Sequence, residues 1–279
     1  MTWDVLEKVV EVVKNIGTIS KLSPVGSGEI LVHPQWYEML QYYLNNVPTE
    51  SVNLYTNGML LTEENIIKIS ELNANSIELE VSIDGKTPEE NDCYRVGSKY
   101  ELIRKQLYLI DKLKDERKLK KNFKTIITHC YIADTDDFRQ DNSGIETENV
   151  KVPGYLRRDF PSYDICAKYT YAYYKPGYAQ KLNQFKMEQV NWPQNYSRRC
   201  CNPFYMLAIN NAGGVLRCAC GSGGVEVIGN IFEDNVLEKW YSDEQLNLAR
   251  KHLMNNDDSK DMCEGCPRRG MGCYYVMKR

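Results

Sequence analysis

Nothing in this 279-residue chain approaches the roughly 18 consecutive apolar residues that a membrane-spanning helix needs, and mean hydropathy is −0.53. A bilayer-spanning role is therefore not expected. An excess of either charge is also lacking: 35 Lys and Arg against 38 Asp and Glu leave a net charge of −3. That balance offers no positive field to nucleic acid. The opening residues MTWDVLEKVVEVV carry acidic side chains among apolar ones, unlike a signal or transit peptide. The chain is accordingly expected in the cytoplasm. It does not lack core-forming material: 42% hydrophobic and 26% charged residues are ordinary globular values and argue against disorder.

Cysteine is the residue in unusual supply. Of ten, seven follow Tyr196: Cys200, Cys201, Cys218, Cys220, Cys263, Cys266 and Cys273. In a reducing compartment disulfides are rare, so clustered cysteines read first as metal or cluster ligands. Cys93, Cys130 and Cys166 are scattered and read as small buried hydrophobes.

The first half alternates amphipathic helices and strands. Trp3, Leu6, Val9, Val10 and Val13 fall at helical spacing within Met1–Asn15, and Gly17 ends that helix. TISKLSPV reads as a short strand. Gln35–Asn46 reads as a helix with Trp36, Met39, Leu40, Tyr43 and Leu44 inward. Ser51–Thr56 is a strand, closed by Asn57-Gly58. Thr62 is placed to cap a helix running to about Asn73. Ser76–Ile83 alternates as a strand with Ile77, Leu79, Val81 and Ile83 on one face. Thr87-Pro88-Glu89-Glu90 is a capping box with proline first in the helix. A second box, Ser98 to Glu101, opens a helix to about Lys120, and Phe123–Ala133 is the next strand. Such alternation argues for βαβ units and a parallel sheet, as an open doubly wound sheet or as a barrel. The basic run Lys112–Lys124 ends a helix and reads as a solvated face. From Asp134 to Arg199 the pattern degrades into Tyr-, Asn- and Pro-rich sequence, read as a last strand or hairpin with long loops. Its Tyr163–Tyr178 stretch either lines a substrate site or packs.

Four places at strand ends can carry chemistry. Gly26-Ser27-Gly28-Glu29 allows a ligand close to the backbone and sets a carboxylate where it can meet an amine. Thr56-Asn57-Gly58 and Ser82 with Asp84-Gly85 are each, taken singly, ordinary turns. His129 and Tyr131 share a strand face and read as buried, satisfied residues. Together the four lie at the C-terminal rim of successive parallel strands, where open α/β sheets and barrels bind ligands.

The segments VGSGEILVHPQWYEMLQYY, VNLYTNGMLLTEENIIKI and IELEVSIDGKTPEENDCYRVGSKYELIRKQLYLI resemble the core of the radical S-adenosylmethionine (SAM) enzymes. The resemblance covers about Ser20–Ile110 and implies a partial (β/α)6 TIM-like barrel missing its first strand. It implies SAM-binding roles for Ser27, Gly28 and Glu29 at the amino group, with Ser27 replacing the usual first glycine. It likewise implies roles near SAM for Thr56 and Asn57, for Ser82 and Asp84, and for Arg95 at the carboxylate.

The C-terminal region, CNPFYMLAINNAGGVLRCACGSGGVEVIGNIFEDNVLEKWYSDEQ followed by CEGC, resembles a SPASM or shortened twitch domain. Such domains hold auxiliary 4Fe–4S clusters. The implied ligands are Cys201, Cys218, Cys263 and Cys266, separated by sixteen, forty-four and two residues. Four thiolates suit an iron–sulfur cluster, and by spacing alone they suit tetrahedral zinc equally. Gly213-Gly214 reads as the hairpin turn that returns Cys218 toward Cys201. Gly229-Asn230-Ile231 and Trp240 also match. Cys273 is not followed by the further cysteine of a full SPASM pattern. The expected division is residues 1–195 for the barrel and 196–279 for the cysteine-rich domain.

One family feature is missing. No Cys-x3-Cys-x2-Cys loop, which holds the SAM-cleaving 4Fe–4S cluster in this family, occurs in the sequence. Two readings follow. In one, the loop is supplied by a longer or split gene product, and the protein acts through a 5′-deoxyadenosyl radical on a peptide or small molecule, with a reductase as electron source. In the other, the protein is a catalytically degenerate iron–sulfur or zinc module that binds a peptide or protein partner.

Overall fold

The computed structural model describes residues 1–26, 28–132, 152–170, 172–173, 187–191, 205–218, 227–233, 235–254 and 273–277. The chain divides into two compact units. One comprises Val13–Tyr131 with Asn149–Lys168, and the other Met1–Val12, Ile132–Glu148 and Tyr169–Arg279.

Helix α1 (Trp3–Val13) buries Val5, Leu6, Val9, Val10 and Val13, as its spacing dictates. There follow β1 (Ile19–Leu22), α2 (Trp36–Asn46), β2 (Thr49–Thr56), α3 (Glu63–Ser70) and β3 (Ser76–Ser82). Then come α4 (Pro88–Tyr94), α5 (Tyr100–Asp115), β4 (Phe123–Ile132), α6 (Gly154–Asp159) and β5 (Asp164–Thr170). The five strands form one sheet in chain order, and the pairs β1–β2, β2–β3 and β3–β4 are parallel. Sequential parallel strands joined by right-handed crossovers carry their helices on one face.

The register divides the sheet chemically. Leu54 pairs with Leu79 and Val81 with Ile127, so Val52, Leu54, Ile77, Leu79, Val81 and Ile127 share the helix-bearing face, none more than 1% exposed. Ile66 and Ile69 of α3 and Ile103, Leu107 and Ile110 of α5 are equally sealed. The other face carries Asn53, Tyr55, Glu78, Glu80, Ser82 and Thr128. Side chains alternate strictly along a strand, so this polarity follows from the register.

Local signals account for most boundaries. In α2 the buried set is Trp36, Met39, Leu40, Tyr43 and Leu44, the five at helical spacing. Thr62 caps α3 by accepting from the Asn65 N–H at 3.3 Å, although the helix stops at Ser70, before the expected Asn73. Thr87 caps α4 through the Glu90 N–H at 3.2 Å, with Pro88 first. Glu90 reaches one residue past the cap and accepts from the Lys86 N–H at 2.6 Å.

The box expected at Ser98–Glu101 does not form. Lys99 is the N-cap of α5 and makes no side-chain cap bond. The adjoining α4 supplies the partners instead: Asp92 accepts the Tyr100 N–H at 2.7 Å, while the Ser98 hydroxyl accepts from Asn91 Nδ2 at 3.1 Å. Helix α5 also ends at Asp115, short of Lys120, and Arg117 then turns left-handed at φ +57°. In the basic run, Lys112 and Lys118 pair with Glu116, and Lys124 with Asp164, all on the surface.

Helix α6 and strand β5 fall where the periodicity was weakest. They are held by aromatic contacts that no spacing rule encodes. Phe160 packs edge-on to Tyr100 and Tyr163, and Tyr163 donates to the Leu107 carbonyl at 2.8 Å.

In the second unit β6 (Ala172–Tyr173) and β7 (Met187–Asn191) flank β11 (Cys273–Met277) in an antiparallel sheet. A second antiparallel sheet contains β8 (Ala208–Ile209), β9 (Gly214–Leu216) and β10 (Val227–Asn230). The β8–β9 hairpin turns at Gly213, φ +84°, with Asn210 Oδ1 accepting the Ala212 and Gly214 N–H groups at 2.9 Å each. Helices α7 (Val236–Trp240) and α8 (Asp243–Met254) follow, with Trp240 buried. Among the described residues no helix is long and apolar enough to cross a membrane.

Candidate functional site

Glu29 is fixed by backbone. One carboxylate oxygen accepts the Asn57 N–H at 2.7 Å, and the other accepts the Leu31 N–H at 3.3 Å. The first bond ties the loop after β1 to the end of β2. A carboxylate has about four lone-pair sites, so acceptor capacity remains for a ligand. Among the described residues nothing lies within 4 Å of where a Cβ on Gly28 would project. Ser27 lies outside the described residues.

The Thr56-Asn57-Gly58 turn is built from its own side chains. Thr56, buried, accepts the Gly58 N–H at 3.1 Å, and Asn57 Oδ1 accepts the Met59 N–H at 2.9 Å. Gly58 adopts φ +79°, and a Cβ there would meet Ile103 at 3.0 Å. Thr56 therefore shapes the turn from beneath, while Asn57 reaches the surface above it.

Asp84 and Arg95 form an ion pair, Nε to Oδ2 at 2.6 Å, with side chains 15% and 30% exposed. The Asp84 N–H is held by Asn91 Oδ1 at 3.0 Å. Gly85 turns at φ +83°, where a Cβ would approach Glu90 Cβ to 2.7 Å. Tyr155 donates toward the Asp84 and Gly85 carbonyls at 3.4 and 3.3 Å. Burial, chiefly, raises the Tyr155 pKa above its ordinary value. Tyr155 supports this turn from α6, and sequence reading missed it, because nothing local links positions seventy residues apart.

Glu29, Asn57 and Arg95 line one open pocket of about 400 Å³, with Val32, Leu60 and Val96 among its walls. Val96 is 90% and Val32 68% exposed. Ser82 and Asp84 are not among its lining residues. Ser82 sits on the polar face at the end of β3, and Asp84 is ion-paired with Arg95, which does line the pocket. The pocket thus offers a carboxylate, a guanidinium and an apolar wall. That set complements an α-amino-acid zwitterion carrying an apolar group.

His129 is wholly buried, with Nδ1 at 2.8 Å from the Ile83 carbonyl, but among the described residues Nε2 has no partner, so the ring is only half satisfied. Burial, chiefly, lowers its pKa below 6.5. The side chain of Tyr131 lies outside what is described.

Of the four expected cluster ligands, Cys218 is described and buried, just after β9. Cys201, Cys263 and Cys266 lie outside the described residues, as do Cys200 and Cys220. Arg217, the neighbour of Cys218, is buried and donates to Glu244 at 2.7 Å and Gln245 at 3.4 Å. Gln245 donates back to the Arg217 carbonyl at 3.1 Å. The backbone entering Cys218 is thereby clamped to α8. Cys93 and Cys166 are exposed free thiols, which corrects their reading as buried hydrophobes. On α4 the inward position belongs to Asn91, leaving Cys93 outside.

No family model matches the sequence, and no curated protein matches it. Solved structures do. A structure of anSMEcpe with bound AdoMet and the Kp18Cys peptide aligns at TM-score 0.59 and 17% identity, covering 96% of this chain and 81% of that one. BtrN in an open conformation aligns at TM-score 0.51 and 14% identity, covering 95% and 79%. SuiB of Streptococcus suis aligns at TM-score 0.52 and 13% identity, covering 89% and 61%. These three are radical SAM enzymes, and the chain shares their fold.

Proposed function

We propose that this chain is a radical SAM-type protein that binds SAM at the strand-end rim and modifies a peptide or small molecule. The observation that carries the reading is the 2.7 Å bond from the Asn57 N–H to Glu29, which draws two rim loops together beside Arg95. In this reading Glu29 receives the SAM amino group and the Nη groups of Arg95 its carboxylate, while Val32, Leu60 and Val96 shield the remainder from water. Asp84 holds the guanidinium in place, and Tyr155 holds Asp84. Beside a reduced 4Fe–4S cluster, SAM supplies a carbon radical able to abstract hydrogen from a substrate.

Solved structures of similar fold support SAM as the ligand, since BtrN has been seen with AdoMet and 2-DOIA, and anSMEcpe with AdoMet and a peptide. The three-cysteine loop for that cluster is not in this sequence, so the reading assigns it to a segment supplied from elsewhere. The C-terminal cysteines Cys201, Cys218, Cys263 and Cys266 hold an auxiliary 4Fe–4S cluster in the same reading, with residues 1–195 as barrel and 196–279 as cluster domain.

Equilibrium dialysis of SAM against the wild type, Glu29→Gln and Arg95→Met tests the rim assignment. Saturable binding by the wild type, weakened at least tenfold in either variant, supports it. Equal binding by all three places SAM elsewhere.

A further inference from the structure

On the polar face of the sheet, Glu80 lies on the central strand β3 and is clasped from both sides. Asn53 Nδ2 on β2 donates to Oε1 at 2.8 Å, and the Thr128 hydroxyl on β4 donates to Oε2 at 2.6 Å. Asn53 Nδ2 also donates to the Tyr55 hydroxyl at 3.1 Å. Both amide hydrogens of Asn53 and the hydroxyl hydrogen of Thr128 are therefore in use. What remains unfilled is acceptor capacity. Asn53 is 3% exposed, and its Oδ1 has no hydrogen-bond partner among the described residues.

No cationic side chain among the described residues answers Glu80. The nearest basic residue by register, Lys124, stands opposite Glu78 and is engaged by Asp164 at 2.7 Å. A half-buried carboxylate beside an orphaned buried carbonyl is a costly arrangement unless something brings N–H donors and positive charge. A neutral acceptor or an anion would worsen it.

We propose that Asn53, Glu80 and Thr128 form a subsite for an organic cation, an ammonium or guanidinium head group, and so select a basic substrate. One N–H of the head group meets Glu80 and a second meets Asn53 Oδ1. The inference rests on the reading above only in taking this face as the substrate side. It names the class of molecule bound there, which the rim pocket does not.

The test uses agmatine, which carries both head groups, and pentan-1-ol as an uncharged chain control. Binding to the full chain is followed by ligand-observed NMR and calorimetry, with SAM binding measured on the same samples. The expected result is saturable agmatine binding, at least tenfold tighter than pentan-1-ol, and weakened at least tenfold by Glu80→Gln. Agmatine binding no tighter than pentan-1-ol, or undiminished in Glu80→Gln, overturns the proposal. So does agmatine binding lost in Glu29→Gln but kept in Glu80→Gln, which would put the cation at the rim. The comparison of the two ligands on the wild type stands even if Glu80→Gln fails to fold. SAM binding without agmatine binding sinks this inference alone, and agmatine binding without SAM binding sinks the rim reading alone.

Discussion

The Asn57 N–H donates to the Glu29 carboxylate at 2.7 Å across twenty-eight residues of sequence. This bond joins two turns that are unremarkable singly. It also gives Glu29 a structural role beside the SAM-binding one proposed for it. Glu29→Ala leaves two N–H groups without their acceptor and is expected to lower stability by about 1–2 kcal/mol. Glu29→Gln retains one acceptor and loses less. Urea denaturation of the three proteins measures this ordering.

Gly85 permits the turn that presents Asp84. Gly85→Ala combines φ +83° with a Cβ only 2.7 Å from Glu90 Cβ. A loss of more than about 1 kcal/mol is expected, from the left-handed backbone together with the clash. Gly28→Ala, whose Cβ meets nothing within 4 Å, should leave the melting temperature unchanged.

Asp159 is buried and accepts from the Tyr100 hydroxyl at 2.7 Å. Arg158, first, and Tyr100 hold its carboxyl below the usual carboxylate range. Tyr100→Phe removes one donor from a buried carboxylate at nearly constant volume, and about 1–3 kcal/mol of stability should go with it. Chemical denaturation of the Tyr100→Phe protein at neutral pH reads this directly.

His129 gives a pH dependence of known sign. Its folded pKa is depressed below 6.5, first by burial. As pH falls through 6.5 the unfolded chain takes up a proton that the folded chain refuses, so stability present above that pH declines below it. Denaturation midpoints at pH 7.5 and 5.5 should differ more for the wild type than for His129→Gln. Equal differences would mean that other groups set the slope in this window.

The elements that could be read from sequence were those with local causes. The α2 stripe, the Thr62 and Thr87 caps and the alternation of β3 need only near neighbours, and each is present. Ser98 was misread because its competitors, Asn91 and Asp92, belong to the preceding helix. Helix α6 was missed because its stability comes from Tyr155 and Phe160 packing against Tyr100, a tertiary cause without periodicity. At the site, Glu29, Asn57 and Arg95 could be named from their motifs and do share a pocket. The Glu80 clasp could not be named, since it depends on the register of three strands.

Whether the chain carries iron tests the proposed cluster most directly. Anaerobic reconstitution with iron and sulfide, followed by metal and sulfide analysis of the wild type and of Cys218→Ser, measures it. The expected result is about four irons and four sulfides per chain, with brown absorbance at about 400 nm, lost or sharply reduced in Cys218→Ser. Colourless protein holding one zinc, or iron retained in full by Cys218→Ser, would contradict it.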